Sequence, residues 1–325
     1  MLLLIENLTK VYRGGFRKEG TVANDGICFS VAAGEIVGLL GHNGAGKTTL
    51  VNQIAGIAKP TSGTVRLSGR DVVADPDFAR QECAFMPQAQ ARFDGVTPRQ
   101  AIEVIARIRG AGRAAARARA DELIEALDIG HWAKTSGERL SGGVRRLTSF
   151  AMAAAVPGRL MILDEPTNDV DPVRRRRLWE QVRMLGMTGC GVLLVTHNVV
   201  EAERSVDRLV ILDKGRVVAE GTSADLRMGS AGLRLEVTLS LGALAPDSPG
   251  WVESSPLRQG QRWTVSLAQE SAAAALEWAQ GLRKAGHIEE FSLTPTSLED
   301  AYVRIVDAGI PAEVERLAPR GDQHV

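Results

Sequence analysis

Three features of this 325-residue sequence predict an α/β fold with a parallel core sheet. Apolar strand-like runs alternate with helical runs from about residue 140 to residue 221, the pattern of parallel strands joined by crossover helices. Within AGEIVGLL (33–40), the run IVGLL after Glu35 is unbroken and apolar, as in a strand covered on both faces. The glycine-rich GHNGAGKT (41–48) follows that strand and precedes TLVNQIAGI, a helical pattern. A strand, a glycine-rich loop and a helix in this order form a unit that holds phosphate.

Taken in order, LLLIENLT (2–9), two runs within GICFSVAAGEIVGLLG (26–41) and SGTVRLSGRDV (62–72) read as strands. Residues 97–127 read as helical. Thr97 offers an N-cap, Pro98 suits the first helical position, and Leu123 and Leu127 lie one turn apart. Then follow a helix (140–156), the strand RLMILDEPT (159–167), a helix (171–185), the strand GVLLVTHN (191–198), a helix (199–206) and a strand pair (208–221). These assign residues 1–229 to one α/β unit. Beyond about residue 230, LRLEVTLS, RWTVSLA and IEEFSLT read as strands and ESAAAALEWAQGLRKAG as a helix. They predict a small appended α+β domain over 230–307. Thr296 and Glu299 are candidates for a capping box on its last helix, and 308–325 reads as a frayed tail.

Composition bounds the partners. Apolar residues make up 44% of the chain, enough for a sizeable core, and the formal net charge is zero. That balance argues against nucleic acid as a partner, since such binders rely on a basic field. The run Arg174–Arg177 lies on a helix whose other face carries Leu178, Val182 and Leu185, so it reads as a solvated face. Three widely spaced cysteines suggest neither a metal site nor a disulfide framework, which points to a reducing compartment. No run approaches the roughly 18 apolar residues of a membrane span, and MLLLIEN lacks the basic start of a signal peptide.

The chemistry concentrates in three places. In the first loop, Gly41, Gly44 and Gly46 allow tight turns that point amides inward. Lys47 suits the β- and γ-phosphates of a nucleotide, and the Thr48 hydroxyl suits Mg²⁺. In RLMILDEPT an apolar strand ends in two carboxylates. Asp164 is placed to hold the metal, and Glu165, one residue on, to polarise an attacking water. In LSGGVRRL (140–147), Ser141 can cap a helix while Gly142 and Gly143 bare their amides, a second anion-binding helix start.

Together these segments resemble the nucleotide-binding subunit of ATP-binding cassette (ABC) transporters, over residues 1 to about 225. Tyr12 in TKVYRG resembles the aromatic that stacks on adenine. GHNGAGKTT resembles the Walker A loop, whose Asn43, Gly44, Ala45, Gly46, Lys47, Thr48 and Thr49 would cradle the nucleotide. Gln88 in FMPQ resembles the Q-loop glutamine, which contacts Mg²⁺ and faces the membrane partner. Ser141, Gly142 and Gly143 match the family signature, LMILDEP matches Walker B, and His197 in VTHN matches the switch histidine.

The resemblance implies a P-loop NTPase cassette: a parallel core sheet, an antiparallel β-subdomain and a helical subdomain over about 89–156. It implies ATP and Mg²⁺ as ligands. It also implies a head-to-tail dimer with itself or a homologous subunit, in which each signature closes on the partner's ATP. Integral membrane permease subunits would be the other partners, with Arg92 and Phe93 as candidate contacts, and the chain would lie on the cytoplasmic face of the membrane. Catalysis would fall to Glu165, His197, Lys47 and Gln88. Two departures stand out. NDVD (168–171) stands where the family usually has Ser-Gly/Ala-Leu-Asp after Walker B: Asp171 is kept, but Asp169 replaces a small residue, which puts its contacts across the dimer in doubt. The signature continues as VRRL without its usual glutamine. The C-terminal TPTSLEDAYVRIV resembles ABC-2-type exporter ATPases. An importer ATPase and a soluble, non-transport ABC ATPase are the competing readings. The sequence names no cargo.

Overall fold

The computed structural model describes residues 1–13, 20–89, 93–228, 232–243, 246–252 and 256–308. Its elements begin with β1 (Leu3–Tyr12), β2 (Thr21–Val31), β3 (Ile36–Leu40), α1 (Lys47–Ile54), β4 (Ser62–Leu67), β5 (Arg70–Asp71), α2 (Pro76–Glu82) and β6 (Cys83–Met86). Next come α3 (Pro98–Ile108), α4 (Arg113–Ala126), α5 (Gly142–Ala155), β7 (Leu160–Asp164), α6 (Pro172–Met187), β8 (Gly191–Thr196), α7 (Val199–Ser205), β9 (Arg208–Asp213) and β10 (Arg216–Gly221). The chain closes with α8 (Ser223–Met228), β11 (Gly232–Leu239), β12 (Leu257–Gln259), β13 (Arg262–Ala268), α9 (Ala272–Lys284), β14 (Ile288–Pro295) and α10 (Leu298–Ala308). Two compact units result, Met1–Glu220 and Gly221–Ala308.

The first unit is built on a six-stranded sheet of order β10-β9-β3-β8-β7-β6, with β9, β3, β8, β7 and β6 parallel. Every residue of β3, β7 and β8 is buried, as their unbroken apolar runs require. Their side chains alternate between two cores. Met161, Leu163, Val192 and Leu194 pack with α3 to α6. Leu160, Ile162, Leu193 and Val195 pack with α1 and the antiparallel sheet β2-β1-β4-β5. Polar side chains are therefore pushed to the strand ends, where Asp164 closes β7 and Thr196 closes β8.

The helices open as their caps dictate. Thr97 and Gln100 form a reciprocal capping box on α3, with Pro98 first in the helix. Asp171 caps α6 by accepting from the amides of Val173 and Arg174. Those amides hold the Asp171 carboxyl below the usual carboxylate range, helped by the Arg174 guanidinium.

In the second unit, β11 to β14 form an antiparallel sheet of order β12-β13-β11-β14. Leu235, Val237, Trp263 and Val265 face α9 through Ala275 and Ala279, and Trp278 meets Trp251 edge-on and Trp263 at a tilt in one aromatic cluster. The capping box of α10 differs from expectation by one residue. Ser297 and Asp300 exchange the hydrogen bonds, because the Thr296 hydroxyl is already donated to the Gly232 carbonyl. The expected tail beyond residue 308 lies outside the described residues, as does Arg92.

Candidate nucleotide site

The loop between β3 and α1 is held from three sides. Gly46 sits at φ 101° as the cap of α1, and a Cβ there would meet the Ala23 carbonyl oxygen at 2.3 Å. No residue but glycine fits both constraints. The fully buried Asn24 donates to the Gly46 carbonyl at 3.2 Å and accepts from Gln53 Nε2 at 2.7 Å, tying β2 to both ends of the helix. On the far side the Gly215 amide donates to the Ala45 carbonyl, and His42 Nε2 lies 2.8 Å from Asp213 Oδ1. Asn43, Gly44 and Thr48 are exposed, Thr49 is half-buried and Ala45 is buried. Lys47 Nζ donates to the carbonyls of Gly41 at 2.5 Å and His42 at 3.1 Å. Burial lowers its pKa from the usual lysine range, against the opposing pull of Glu165 and Asp164.

The two carboxylates after β7 have different surroundings. Burial, and then the charge of Glu165, raise the Asp164 pKa above the usual carboxylate range, while Arg146 and Lys47 pull it down. Asp164 accepts from the Gln88 amide, although the Gln88 side chain itself is exposed. Glu165 is 4% exposed and takes φ 51°, so its side chain leaves the strand in a direction of its own. Its Oε2 accepts from Thr196 Oγ1 at 3.0 Å. Its Oε1 accepts from the His197 amide at 2.9 Å and stands 2.5 Å from His197 Nδ1. The parallel pairing of β7 with β8 thus brings together two residues 32 apart in sequence. A pair of acids near a half-buried lysine, with the exposed Thr48 hydroxyl next in sequence to that lysine, suits a divalent cation on phosphate oxygens.

Arg146 is the functional residue that sequence reasoning passed over. It is 1% exposed, on the turn of α5 that follows the signature. Its Nη1 donates to the carbonyls of Pro87 and Gln88 at 3.0 and 2.8 Å, and its Nε to the Glu165 carbonyl at 2.9 Å. Nη2 reaches the carbonyls of Asp164 and Glu165. One planar guanidinium therefore joins the Gln88 loop to the carboxylate loop. The sequence signal was faint: a charged residue in VRRL, next to the core positions Val144 and Leu147.

The other predicted residues have partners of their own. The Ser141 hydroxyl caps α5 by accepting from the Val144 amide at 3.4 Å. Gly143 lies so close to the next loop that a Cβ would meet the Asp169 carbonyl oxygen at 2.4 Å. Among the described residues, no hydrogen bond or ion pair joins Ser141–Gly143 to the loop 41–49. Tyr12, 45% exposed at the end of β1, lies under Lys10 Nζ at 5.1 Å and leaves ring surface free. Phe93, expected as an exposed partner contact, is 6% exposed and packed against Gly137. Its apolar ring is held in the core rather than offered to a partner. Of the arginine run, Arg174 is engaged by Asp128, Asp171 and the Trp132 ring.

The family model described as "ABC transporter" matches residues 24–168. The daunorubicin/doxorubicin resistance ATP-binding protein DrrA of Streptomyces peucetius is 34% identical over 94% of this chain and 92% of its own length. The Nod factor export ATP-binding protein I of Burkholderia orbicola is 33% identical over 86% of this chain and 91% of its own. A solved structure titled as the ATP binding subunit of an ABC transporter superposes with a TM-score of 0.63 at 29% identity. It covers 71% of this chain and 93% of that one.

Proposed function

The chain belongs to the ABC transporter ATP-binding family, and we propose that it is the ATP-hydrolysing subunit of an exporter whose transmembrane path is built by separate permease subunits. The observation that carries the reading is a divided site. Lys47, Asp164, Glu165 and His197 gather at the ends of β3, β7 and β8, while Ser141–Gly143 open α5 with no bond to the phosphate loop. We read this as half a site, completed when a second copy or a homologous subunit, head to tail, brings its own Ser141–Gly143 to the triphosphate.

In that closed state Lys47 leaves the carbonyls of Gly41 and His42 for the β- and γ-phosphates, and the amides of Asn43 to Thr49 cradle the remaining oxygens. Tyr12 stacks on the adenine. Thr48, Asp164 and Gln88 would hold Mg²⁺, which when bound would supply charge neutralisation on the phosphate oxygens. Glu165, fixed by Thr196 and the His197 amide, orients the attacking water, and His197 donates toward the γ-phosphate. Release of phosphate removes the shared anion and lets the two copies part.

Among the described residues no helix is long and apolar enough to cross a membrane. A cavity of about 160 Å³ opens beside Gln88, lined by Pro87, Ala89, Ile105 and Met152. We place the cytoplasmic helix of a permease subunit there, which would hold the chain on the inner face of the membrane. Residues 1–229 form the motor and 230–307 an accessory domain in this reading. Export follows the relatives named for drug resistance and Nod factor export. The decisive experiment is Glu165→Gln with ATP and magnesium. Hydrolysis should fall at least a hundredfold while size-exclusion chromatography shows an ATP-retaining dimer. A variant that hydrolyses at the parental rate removes Glu165 from its role, and one that holds ATP only as a monomer overturns the shared site.

A further inference from the structure

A groove of about 550 Å³ runs between α6 and α7, and its charges are unbalanced. Arg175, Arg176 and Arg183 reach it from α6 and Arg204 from α7, against a single lining carboxylate, Glu201. Positions 176, 179 and 183 share one helix face, so Trp179 lies between the guanidinium groups as an apolar floor, 7% exposed. Glu201 is already committed. Its oxygens accept from Thr167 Oγ1 at 2.6 Å and from Trp179 Nε1 at 3.0 Å. Arg175 Nε stands 3.9 Å from Glu201, beyond hydrogen-bonding reach, and is a buried donor without an acceptor. Arg176, Arg183 and Arg204 have no hydrogen-bond, ion-pair or ring partner among the described residues. Three positive charges thus remain over around one concavity, where like charges repel unless an anion joins them.

We propose that this groove binds a small anion carrying two or more phosphate groups. Planar guanidinium forks match phosphate oxygens two at a time, and uncommitted forks on two helices call for more than one such group. The volume falls in the range of small-ligand sites, about 300–1,000 Å³. The ligand is either the tail of a nucleotide or an inorganic polyphosphate. The site is separate from the phosphate loop, yet touches its machinery: Asn198, which follows His197, accepts from the Glu201 amide at 3.0 Å.

The test uses the full chain with Lys47→Ala, which silences the first loop. Sodium tripolyphosphate and ADP are each titrated calorimetrically, with and without the added pair Arg176→Ala and Arg204→Ala. Both arginines are exposed, so unchanged circular dichroism checks the fold, and Arg183→Glu provides an independent variant. Tripolyphosphate should bind one to one and weaken at least tenfold when the arginines are lost. ADP weakened in parallel identifies a nucleotide, and ADP that fails to bind identifies inorganic polyphosphate. Affinity unchanged within twofold by the arginine losses, or no binding of either probe, overturns the proposal. So does arginine-dependent binding of a polyglutamate peptide where tripolyphosphate fails.

Discussion

Arg146 donates to the main-chain oxygen of Gln88 at 2.8 Å, and through the same guanidinium to the carbonyls of Asp164 and Glu165. The Gln88 loop and the loop that carries Asp164 and Glu165 are therefore held by one buried cation. A displacement of either loop must be felt by the other, or break these bonds.

Replacing Arg146 with alanine leaves the carbonyls of Pro87, Gln88 and Glu165 without these donors. The Glu165 carbonyl keeps the Asn168 amide at 3.4 Å and the Pro87 and Gln88 carbonyls are only partly buried, so the loss should be about 1–3 kcal/mol in all and the melting midpoint should fall by roughly 2–12 °C. Lysine should rescue little, because an ammonium cannot present the planar fork. Differential scanning calorimetry of both variants checks this. Alanine and lysine variants that melt like the parent would show that water replaces the guanidinium without cost.

His197→Ala removes the ring that lies 2.5 Å from Glu165 Oε1, but leaves the amide bond to the same oxygen. Glu165 therefore keeps its position, and the loss should fall on chemistry rather than folding. We expect kcat for ATP to drop roughly 10²-fold with KM changed less than about threefold. A rise in KM at constant kcat would make His197 a ground-state binding residue.

Much of this site was legible because its parts are local. A glycine loop between a strand and a helix, two acids at a strand end and a Ser-Gly-Gly helix start each carry their geometry within a few residues. The alternation of core strands and helices was legible for the same reason, and the unbroken apolar runs foretold strands buried on both faces. What escaped depends on packing between distant segments. An arginine read from sequence belongs on the surface, and only the closeness of α5 to β7 and the Gln88 loop makes Arg146 a buried hub. Asn24 lies just before the run read as a strand, and its role shows only once β2 is seen against Gly46. Phe93 reads as a loop aromatic until its backbone and Cβ are seen against Gly137, where no side chain could fit. The α10 box moved from Thr296 to Ser297 because a strand 64 residues away takes the first hydroxyl.

Asp164 should weigh against stability when no ligand is present. Its native pKa is raised, first by burial and then by Glu165. As pH climbs from the ordinary carboxylate range through the raised value, the native state gives up a proton that the unfolded chain has already lost, and stability falls. Asp164→Asn keeps an acceptor for the Gln88 amide without the charge. The nucleotide-free variant should therefore melt higher than the parent at neutral pH, with a gap that closes as the pH is lowered into the ordinary carboxylate range. Magnesium-dependent hydrolysis should drop roughly a hundredfold or more. Melting curves across pH, beside steady-state rates, check both halves. A gap that widens on acidification would reverse the sign argued here.

Gly143→Ala tests the divided site most directly. The new Cβ would come to 2.4 Å from the Asp169 carbonyl oxygen, a backbone atom in a residue already at φ 63°. The helix start and the 168–171 loop must separate, at a cost of about 1–3 kcal/mol. The phosphate loop shares no bond with Gly143, so ATP binding to a single chain should stay within about twofold of the parent by calorimetry. Hydrolysis, which in the proposed shared site needs the signature of the second copy, should fall by roughly 10²-fold, and Glu165→Gln combined with Gly143→Ala should no longer form the ATP-held dimer. Loss of nucleotide binding by the isolated chain would place the signature in the same half-site as Lys47, and the head-to-tail arrangement would have to be abandoned.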